Sequence, residues 1–353
     1  MPWVGSQPAG EFRLFSRSES WLAPSHQSDR RPWVRRAFGI LNPEILVLVE
    51  AELWPNMLWQ ARRRRVPVVL VNARISPRSF ARYRRAGFFF RDLFAGLAAV
   101  SAQSDRDHQR LLDLGCHPDA VHTVGSLKFE PSPPGDVRPL DVPRLLRHAG
   151  MPPDARVLLA ASTHDGEEAT LADIFARLRK KHPDLYLVLV PRHFERARAI
   201  GGQLSRRRIR YVYRSEVVFA GAPDPGSSEC LVVNSTGELR FFYPHAHVVF
   251  VGKSLHGVGG QNPIEPAAVG RPIVFGPHMQ NFPDIAPRFV DADAALQVED
   301  AGQLEKALDD LFSHPSRCDA LGRNARAVVE ANRGALDRTV AMIFDVLRDH
   351  DLA

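Results

Sequence analysis

The segment VGKSLHGVGGQNPIEPAA, residues 251–268, decides the fold of this chain. It continues the apolar run AHVVF and joins a glycine-rich loop directly to a helix start, as in a strand–loop–helix unit. Gly252, Gly257, Gly259 and Gly260 allow the backbone to approach a ligand closely. Because the first turn of a helix presents unpaired N–H groups, the segment predicts an anion site.

The start of this helix carries a capping pattern. Asn262 is a natural N-cap, Pro263 suits the first helical position, and Glu265 falls in the first turn. A carboxylate beside a phosphate-binding turn suits ribose hydroxyls, so the pattern predicts a nucleotide. The alternative is an ordinary capped helix whose Glu complements the helix dipole. Four glycines exceed what a structural turn needs, which favours the nucleotide.

Length and composition predict a folded protein with two domains. The 353 residues suffice for two α/β domains, and 44% apolar with 24% charged residues is typical of a globular chain. Cys116, Cys230 and Cys318 are far apart and form no CxxC pair. They predict a reducing compartment and no structural metal.

The net charge of +6, with a pI near 9.5, comes largely from arginine clusters at 62–65, 82–85 and 206–210. A basic surface suits nucleic acid, an anionic membrane or phosphorylated substrates, unless the arginines are simply a solvated surface. No recognition-helix or RNA-binding pattern accompanies them, so nucleic acid is not expected. No apolar run reaches the ~20 residues of a membrane span, and the first residues lack the apolar core of a signal peptide.

Strands and helices alternate along the chain from Asn42 onward, after an irregular segment at residues 1–30. This alternation predicts parallel sheets covered on both faces, and PSPPGDVRPLDVP (131–143) is a linker between two such series. The tail from Ala301 is helical core packing without chemistry. The predicted strands are ILVLVE (45–50), VPVVLVNAR (66–74), LFAGLAAVSA (93–102), VHTVG (121–125), VLLAAST (157–163), LYLVLVPR (185–192), ECLVVNS (229–235), HVVFVGKS (247–254) and RPIVFGP (271–277).

Polar side chains follow four strands of the second series. Because parallel strands place their carboxyl ends at one edge of a sheet, where ligands bind, these groups predict a single site. They are Ser162 and Thr163, Arg192 and His193, Ser235 to Glu238, and Lys253 and Ser254.

Several strings in colinear order resemble the 3-deoxy-D-manno-octulosonic acid (Kdo) transferases, which are GT-B glycosyltransferases. The resemblance covers roughly residues 40 to 345, while residues 1–30 resemble nothing in the corresponding region of that family. The strings are EAELWPN (50–56), VNARISPRS (71–79), VGSLKFE (124–130), ASTHDGEE (161–168), LVPRH (189–193), STGEL (235–239), GGQNPIEPAA (259–268) and FGPHMQNFPDI (275–285).

The resemblance implies a GT-B fold with two Rossmann-like domains and a cleft between them. The implied domains are an N-terminal acceptor-side domain at 31–135, a donor domain at 136–335 and a C-terminal helix at 336–353. The implied activity is inverting, metal-independent transfer of Kdo from CMP-Kdo to a lipid A precursor (lipid IVA), without a cofactor, in lipopolysaccharide biosynthesis. The implied partners are that phosphorylated acceptor and the anionic cytoplasmic face of the inner membrane.

The resemblance also implies residue roles. Ser162 and Thr163 are expected to line the donor crevice. Glu50 and Lys128 match transition-state stabilisers contributed by the first domain, and their alternative is an interdomain salt bridge. Glu52 competes with Glu50 for that role. The implied donor-binding residues are Pro191, Arg192, Thr236, Gly237, Glu238, Asn262, Pro263, Ile264 and Glu265.

The chain departs from the family pattern at its beginning. The family's hydrophobic anchor and the Ser-Val-Gly-Glu motif that carries its general base are not found; the nearest match, Ser235 to Glu238, belongs to the donor site. We therefore expect an N-terminally truncated, incomplete first domain with an exposed sheet edge. Two alternatives stay open: a GT-B enzyme that uses a UDP-sugar, and an inactive fragment that binds CMP.

Overall fold

The computed structural model describes residues 29–50, 53–130, 139–219 and 223–350. The chain forms two compact units. Of the described residues, one unit contains those up to Leu127 together with those from Gly334 onward, and the other contains those within Lys128–Arg333.

Both units consist of strands and helices in alternation. The strands are β1 (Leu46–Val49), β2 (Val68–Ala73), β3 (Ala99–Ala102), β4 (Val121–Thr123), β5 (Arg156–Thr163), β6 (Leu185–Pro191), β7 (Tyr211–Tyr213), β8 (Cys230–Val232), β9 (Val248–Val251), β10 (Ile273–Phe275) and β11 (Ala295–Gln297). The helices are α1 (Arg31–Leu41), α2 (Pro55–Arg64), α3 (Pro77–Arg85), α4 (Gly87–Ala95), α5 (Asp105–Leu114), α6 (Val142–His148), α7 (Glu167–Leu178), α8 (Ala197–Arg206), α9 (Leu239–Phe242), α10 (Ile264–Ala268), α11 (Ile285–Asp291), α12 (Ala301–Ser313), α13 (Pro315–Ala331) and α14 (Ala335–Asp349).

The first unit has a parallel sheet in the order β1-β2-β3-β4. Alternate residues of β2 face opposite sides: Leu70 packs into the core under α1, α2, α4 and α5, and Val69 packs against α14. Because both faces are covered, every residue of β2 is buried. The C-terminal helix therefore belongs to the first unit and does not stand apart.

Among the described strands, β1 and β4 are the two edge strands of this sheet. Val47 and Val49 lie opposite Val69 and Val71 in the register, on the face that α14 covers, yet they remain 40% and 50% exposed. Among the described residues, β1 therefore keeps a partly exposed apolar face.

The second unit has a seven-stranded parallel sheet in the order β11-β10-β9-β5-β6-β8-β7. Strands β6, β8 and β7 lie on one side of β5, and β9, β10 and β11 lie on the other, so the topological switch point of the sheet is between β5 and β9. Val157 and Leu159 face the core with α6, α10, α11 and α13, whereas Leu158 and Ala160 face α7, α8 and α12. Each unit is thus a Rossmann-like α/β layer structure, and the predicted GT-B fold class is confirmed.

Several predicted boundaries need correction. The run at 93–102 is a helix end followed by a strand, because Leu93–Ala95 complete α4 and only Ala99–Ala102 form β3. The predicted linker lies outside the described residues at 131–138, and its end is helical because Asp141 caps α6. The compact units divide at Lys128 and at Gly334, not at 135 and 335.

Candidate functional site

The carboxyl edge of the second sheet brings four of the predicted segments to one side of the unit. Adjacent parallel strands β9, β5, β6 and β8 end there. Thr163 ends β5, Pro191 ends β6, Lys253 follows β9, and Ser235 to Glu238 follow β8. This edge includes the topological switch point between β5 and β9, which is where ligands bind in open α/β sheets.

The glycine loop, residues 252–261, is closed by its own backbone. Gly260 N–H donates to the Lys253 carbonyl at 2.9 Å, and Gln261 N–H donates to the Gly252 carbonyl at 3.1 Å. Gly259 and Gly260 have φ of 122° and 71°, which favours glycine. The loop therefore has a defined conformation at the end of β9.

The Glu167 carboxylate accepts hydrogen bonds from backbone N–H groups near the start of this loop. This buried carboxylate accepts N–H groups from Lys253 (2.8 Å), Ser254 (3.0 Å) and Leu255 (3.0 Å), and from His164 (2.9 Å) in the loop after β5. These three loop N–H groups are therefore not available to a bound anion, because a side chain of the protein already binds them.

The helix after the loop is shorter than its sequence suggests. Helix α10 begins at Ile264, one residue later than predicted, and has five residues. Asn262 Oδ1 nevertheless accepts the Ile264 N–H at 3.0 Å, so the predicted capping side chain is in use. Glu265 is exposed, and the Asn262 side-chain amide donates a hydrogen bond to its carboxylate at 3.3 Å. The burial of Tyr243, together with the nearby Glu265 carboxylate, raises the pKa of Tyr243 well above its usual value.

The end of β6 carries an exposed cationic segment. Pro191 is buried, whereas the side chains of Arg192 and His193 are exposed. The Arg192 N–H donates to the Thr163 carbonyl at 3.0 Å, which joins this segment to the end of β5. The His193 ring lies 5.8 Å from that of His164. Burial lowers the pKa of His164, and Lys253 and His193 add to this lowering.

The segment after β8 pairs its carboxylate internally. Glu238 accepts two hydrogen bonds from the Arg214 guanidinium at 3.0 and 3.2 Å, and one from the Ser235 hydroxyl at 2.7 Å. Thr236 and Gly237 are exposed, and Gly237 has φ 79°. Glu238 thus fixes a turn that presents Thr236 and Gly237 to solvent.

Arg192, Glu238 and Glu265 lie on three different segments of this edge. Within the described residues, no hydrogen bond or ion pair joins one of them to another; Glu238 and Glu265 are held by Arg214 and Asn262. The topology places the three segments at one edge, and their convergence on one ligand stays a prediction.

The two predicted catalytic residues belong to different compact units. Glu50 follows β1 in the first unit, where it is exposed with φ 61° and its N–H donates to the Val71 carbonyl at 2.9 Å. Lys128 begins the second unit, so its assignment to the first domain is corrected; its Nζ lies 5.6 Å from the centroid of the Phe282 ring. Glu52 lies outside the described residues.

Two described cavities lie away from the carboxyl edge. One of about 390 Å³ is lined by Arg156, His247 and Pro272, at the amino ends of β5, β9 and β10. The other, of about 530 Å³, is lined by Val68 and Ala98 in the first unit. Over residues 29–50, 53–130, 139–219 and 223–350, no group of three or more His, Cys, Asp or Glu side chains is arranged to hold a metal ion.

Comparison with known proteins identifies the family. A family model described as 3-deoxy-D-manno-octulosonic-acid transferase (kdotransferase) matches residues 16–131. The 3-deoxy-D-manno-octulosonic acid transferase of Bordetella pertussis is 36% identical over 319 residues, which cover 89% of this chain and 72% of that protein. The protein of the same name from Haemophilus influenzae is 30% identical over 312 residues, covering 88% and 71%. This chain belongs to the Kdo transferase family.

A solved structure with a TM-score above 0.5 agrees on the fold. A glycosyltransferase from Rickettsia africae ESF-5 has a TM-score of 0.58 at 15% identity, covering 95% of this chain and 84% of that chain. The C-terminal CMP-Kdo binding domain of WaaA from Acinetobacter baumannii is 30% identical, with a TM-score of 0.46, over 50% of this chain and 90% of that chain.

Because the match to the family model begins at residue 16, the expectation that residues 1–30 resemble nothing in the family is wrong from that residue on.

Sequence reasoning missed the carboxylates that bind the loops at the carboxyl edge in this member of the Kdo transferase family. Glu167 and Glu168 stand in the quoted string ASTHDGEE, but no role was assigned to them. The available signal was only that carboxylates are favoured at a helix start, and this does not distinguish an exposed carboxylate from one that binds loop N–H groups. Arg214 gave no comparable signal, since its partner Glu238 lies 24 residues later.

Proposed function

We propose that this chain transfers Kdo from CMP-Kdo to a phosphorylated lipid A precursor such as lipid IVA, with inversion and without a required metal, in lipopolysaccharide biosynthesis. Membership of the Kdo transferase family supports Kdo as the transferred sugar. The observation that carries the proposal is the carboxyl edge of the second sheet, to which adjacent parallel strands bring Arg192, the turn at Ser235 to Glu238, and the segment leading to Glu265.

The donor nucleotide binds along this edge in the proposed arrangement. Arg192 is exposed at the end of β6, and its guanidinium can donate two parallel hydrogen bonds to phosphate oxygens. Thr236 and Gly237 offer a hydroxyl and an accessible backbone, and the Glu265 carboxylate suits ribose hydroxyls. Glu50 and Lys128 supply opposite charges that stabilise the oxocarbenium-like sugar and the departing phosphate.

Nucleotide selectivity in thermal unfolding tests the donor assignment. CMP at ~100 times its dissociation constant is expected to stabilise the protein by ~2.7 kcal/mol, while UDP at the same concentration has a smaller effect. Preference for UDP would instead favour a GT-B enzyme that uses a UDP-sugar.

Arg192→Lys tests whether the Arg192 guanidinium donates two parallel hydrogen bonds to the phosphate. Because a lysine ammonium cannot make the two parallel bonds, CMP affinity is expected to fall about tenfold. Arg198→Lys, an exposed change on α8, is the matched control. Unchanged CMP affinity in Arg192→Lys would remove this residue from the donor site. CMP binding without Kdo transfer to lipid IVA would identify an inactive CMP-binding fragment.

The acceptor is proposed to approach the first unit from the anionic cytoplasmic face of the inner membrane. Arg82, Arg84 and Arg85 lie in the last turn of α3, and Phe88, which follows at the start of α4, is 92% exposed. Cationic side chains beside an exposed aromatic suit an anionic lipid interface. In the part of the chain that the structure describes, no helix has both the length and the apolar character needed to cross a bilayer.

Vesicle binding tests this peripheral attachment. Arg82→Glu, Arg84→Glu and Arg85→Glu together should abolish sedimentation with vesicles that contain phosphatidylglycerol, and Phe88→Ser alone should weaken it. The control variant changes Arg198, Arg206 and Arg208, three exposed arginines of the second unit, to Glu. It has the same net charge as the first triple variant. Equal loss in both triple variants would mean that net charge, and not this surface, drives binding.

A further inference from the structure

Two adjacent carboxylates at the start of α7 connect the segments of the proposed donor site. Glu167 and Glu168 are its first two residues, and both side chains are buried, with exposures of 0% and 1%. Successive positions of a helix point about a quarter-turn apart, so the two carboxylates reach in different directions. Since β5 lies between β9 and β6, a helix that follows β5 can reach the loops of both neighbours.

Glu167 reaches the β9 side. Its two oxygens accept four backbone N–H groups, which fill the acceptor sites of a carboxylate. Three of these donors are consecutive residues of the glycine loop 252–261. A second contact secures the same loop, because the Thr170 hydroxyl of α7 lies 2.9 Å from His256 Nε2.

Glu168 reaches the β6 side. It accepts hydrogen bonds from the Arg196 guanidinium at 2.7 and 3.2 Å and from the Thr163 hydroxyl at 3.0 Å. Arg196 ends the short turn that follows Arg192 and His193, and it also binds Asp165 at 2.6 Å. The segment at 191–196 is therefore tied to the loop after β5.

We propose that Glu167 and Glu168 are positioning residues of the donor site: Glu167 fixes the glycine loop 252–261, and Glu168 fixes the segment 191–196. Neither carboxylate touches the substrate. Each acts through the loop that it holds, so the two together set the spacing between Arg192 and the segment that begins at Asn262. The inference rests on the proposed function for its effect on the donor, but not for its effect on the loops.

Amide hydrogen exchange of the unliganded protein tests the positioning directly. Glu167→Gln keeps the size of the side chain but turns an NH₂ group toward N–H donors, so amides of residues 253–261 should exchange about tenfold faster. Glu168→Gln should accelerate exchange at 192–196 and leave 253–261 unchanged. Glu299→Gln, the same change at an exposed position of the second unit, should alter neither segment.

CMP binding and steady-state kinetics complete the test. Both loop variants should raise the dissociation constant of CMP and the KM for CMP-Kdo about tenfold, with a smaller change in kcat, because they disturb binding geometry. If Glu167→Gln does not fold, Thr170→Val removes the second contact to the loop and should produce the same local change at reduced size.

The outcomes separate this inference from the proposed function. Unchanged exchange at 253–261 in Glu167→Gln, or accelerated exchange spread evenly over the second unit, would overturn the positioning role while wild-type CMP binding stands. Local acceleration in a protein whose wild type does not bind CMP would keep the positioning role and reject the donor assignment.

Discussion

Gly252, directly after β9, lies against the backbone at the end of β5. A Cβ there would lie 2.5 Å from the Ser162 carbonyl oxygen and 2.6 Å from Thr163 Cα, both backbone atoms that cannot rotate away. We expect Gly252→Ala to lower the free energy of unfolding in urea by about 1–3 kcal/mol, as overpacking does. Gly202→Ala, in helix α8 with its nearest atom at 3.8 Å, is the control and should be neutral or stabilising. Equal stability of the two variants would contradict the close approach.

Glu229, just before β8, gives stability a defined pH dependence. Burial opposes its ionisation, but the Arg210 N–H and guanidinium and the nearby Arg179 hold its pKa below the usual 4.5. A depressed pKa stabilises the fold above the unfolded value and loses this contribution as pH falls through the folded value. Because solvent screens this partly exposed group, Glu229→Gln should cost at most about 1 kcal/mol at pH 7 and less at pH 3.5, measured by urea unfolding. A cost that is constant with pH would contradict this assignment.

Individual residues of the site were predictable where the signal was local. Arg192 follows an apolar run, so its place at a strand end could be predicted from the sequence and is confirmed. Glu167 was not predictable in the same way, because its loop partners lie 86 to 88 residues later and meet it only when β5 and β9 pair. The sequence shows which groups stand at strand ends, but not which of them the protein uses internally.

Helix α5 carries a local sequence signal at each end, a serine before its first turn and a glycine after its last. Ser104 Oγ accepts the Asp107 N–H at 3.2 Å, and Gly115 ends the helix with φ 107°. Ser104→Ala should reduce the free energy of unfolding by about 1 kcal/mol, whereas Ser104→Thr should recover most of it. If both variants unfold at the same urea concentration as the wild type, the Ser104 cap contributes little to the free energy of unfolding.

Elements without a strong period of their own were the ones that sequence reasoning missed. Strands β7 and β11 have three residues each and lie at the two edges of the second sheet, so few apolar residues mark them. The opposite error occurred at 93–102, where one apolar run serves a helix end and then a strand. In both cases tertiary packing, which periodicity does not record, decides the element.

At the scale of the whole molecule, the chain leaves the first unit at Lys128 and returns to it at Gly334. Met342 and Val346 of α14 then pack on Val69, Val71 and Ala99 of the first sheet. The first unit thus depends on the last helix for one face of its core, while the core of the second unit is complete between these two points. A helical tail could be predicted from its apolar spacing, but its destination could not.

This division predicts that core substitutions act on separate unfolding transitions. The second unit contains no tryptophan, since all five precede residue 60, and Trp33, Trp54 and Trp59 lie in the described part of the first unit; tryptophan fluorescence therefore follows the first unit, whereas far-UV circular dichroism reports both. Met342→Ala should destabilise the fluorescence transition in urea by about 2–3 kcal/mol. Leu308→Ala, fully buried in the second unit, should shift the circular dichroism transition and leave the fluorescence midpoint in place. Equal shifts in both signals for both variants would mean that the two cores unfold as one cooperative body, because a lost contact in either would then be felt by all tryptophans.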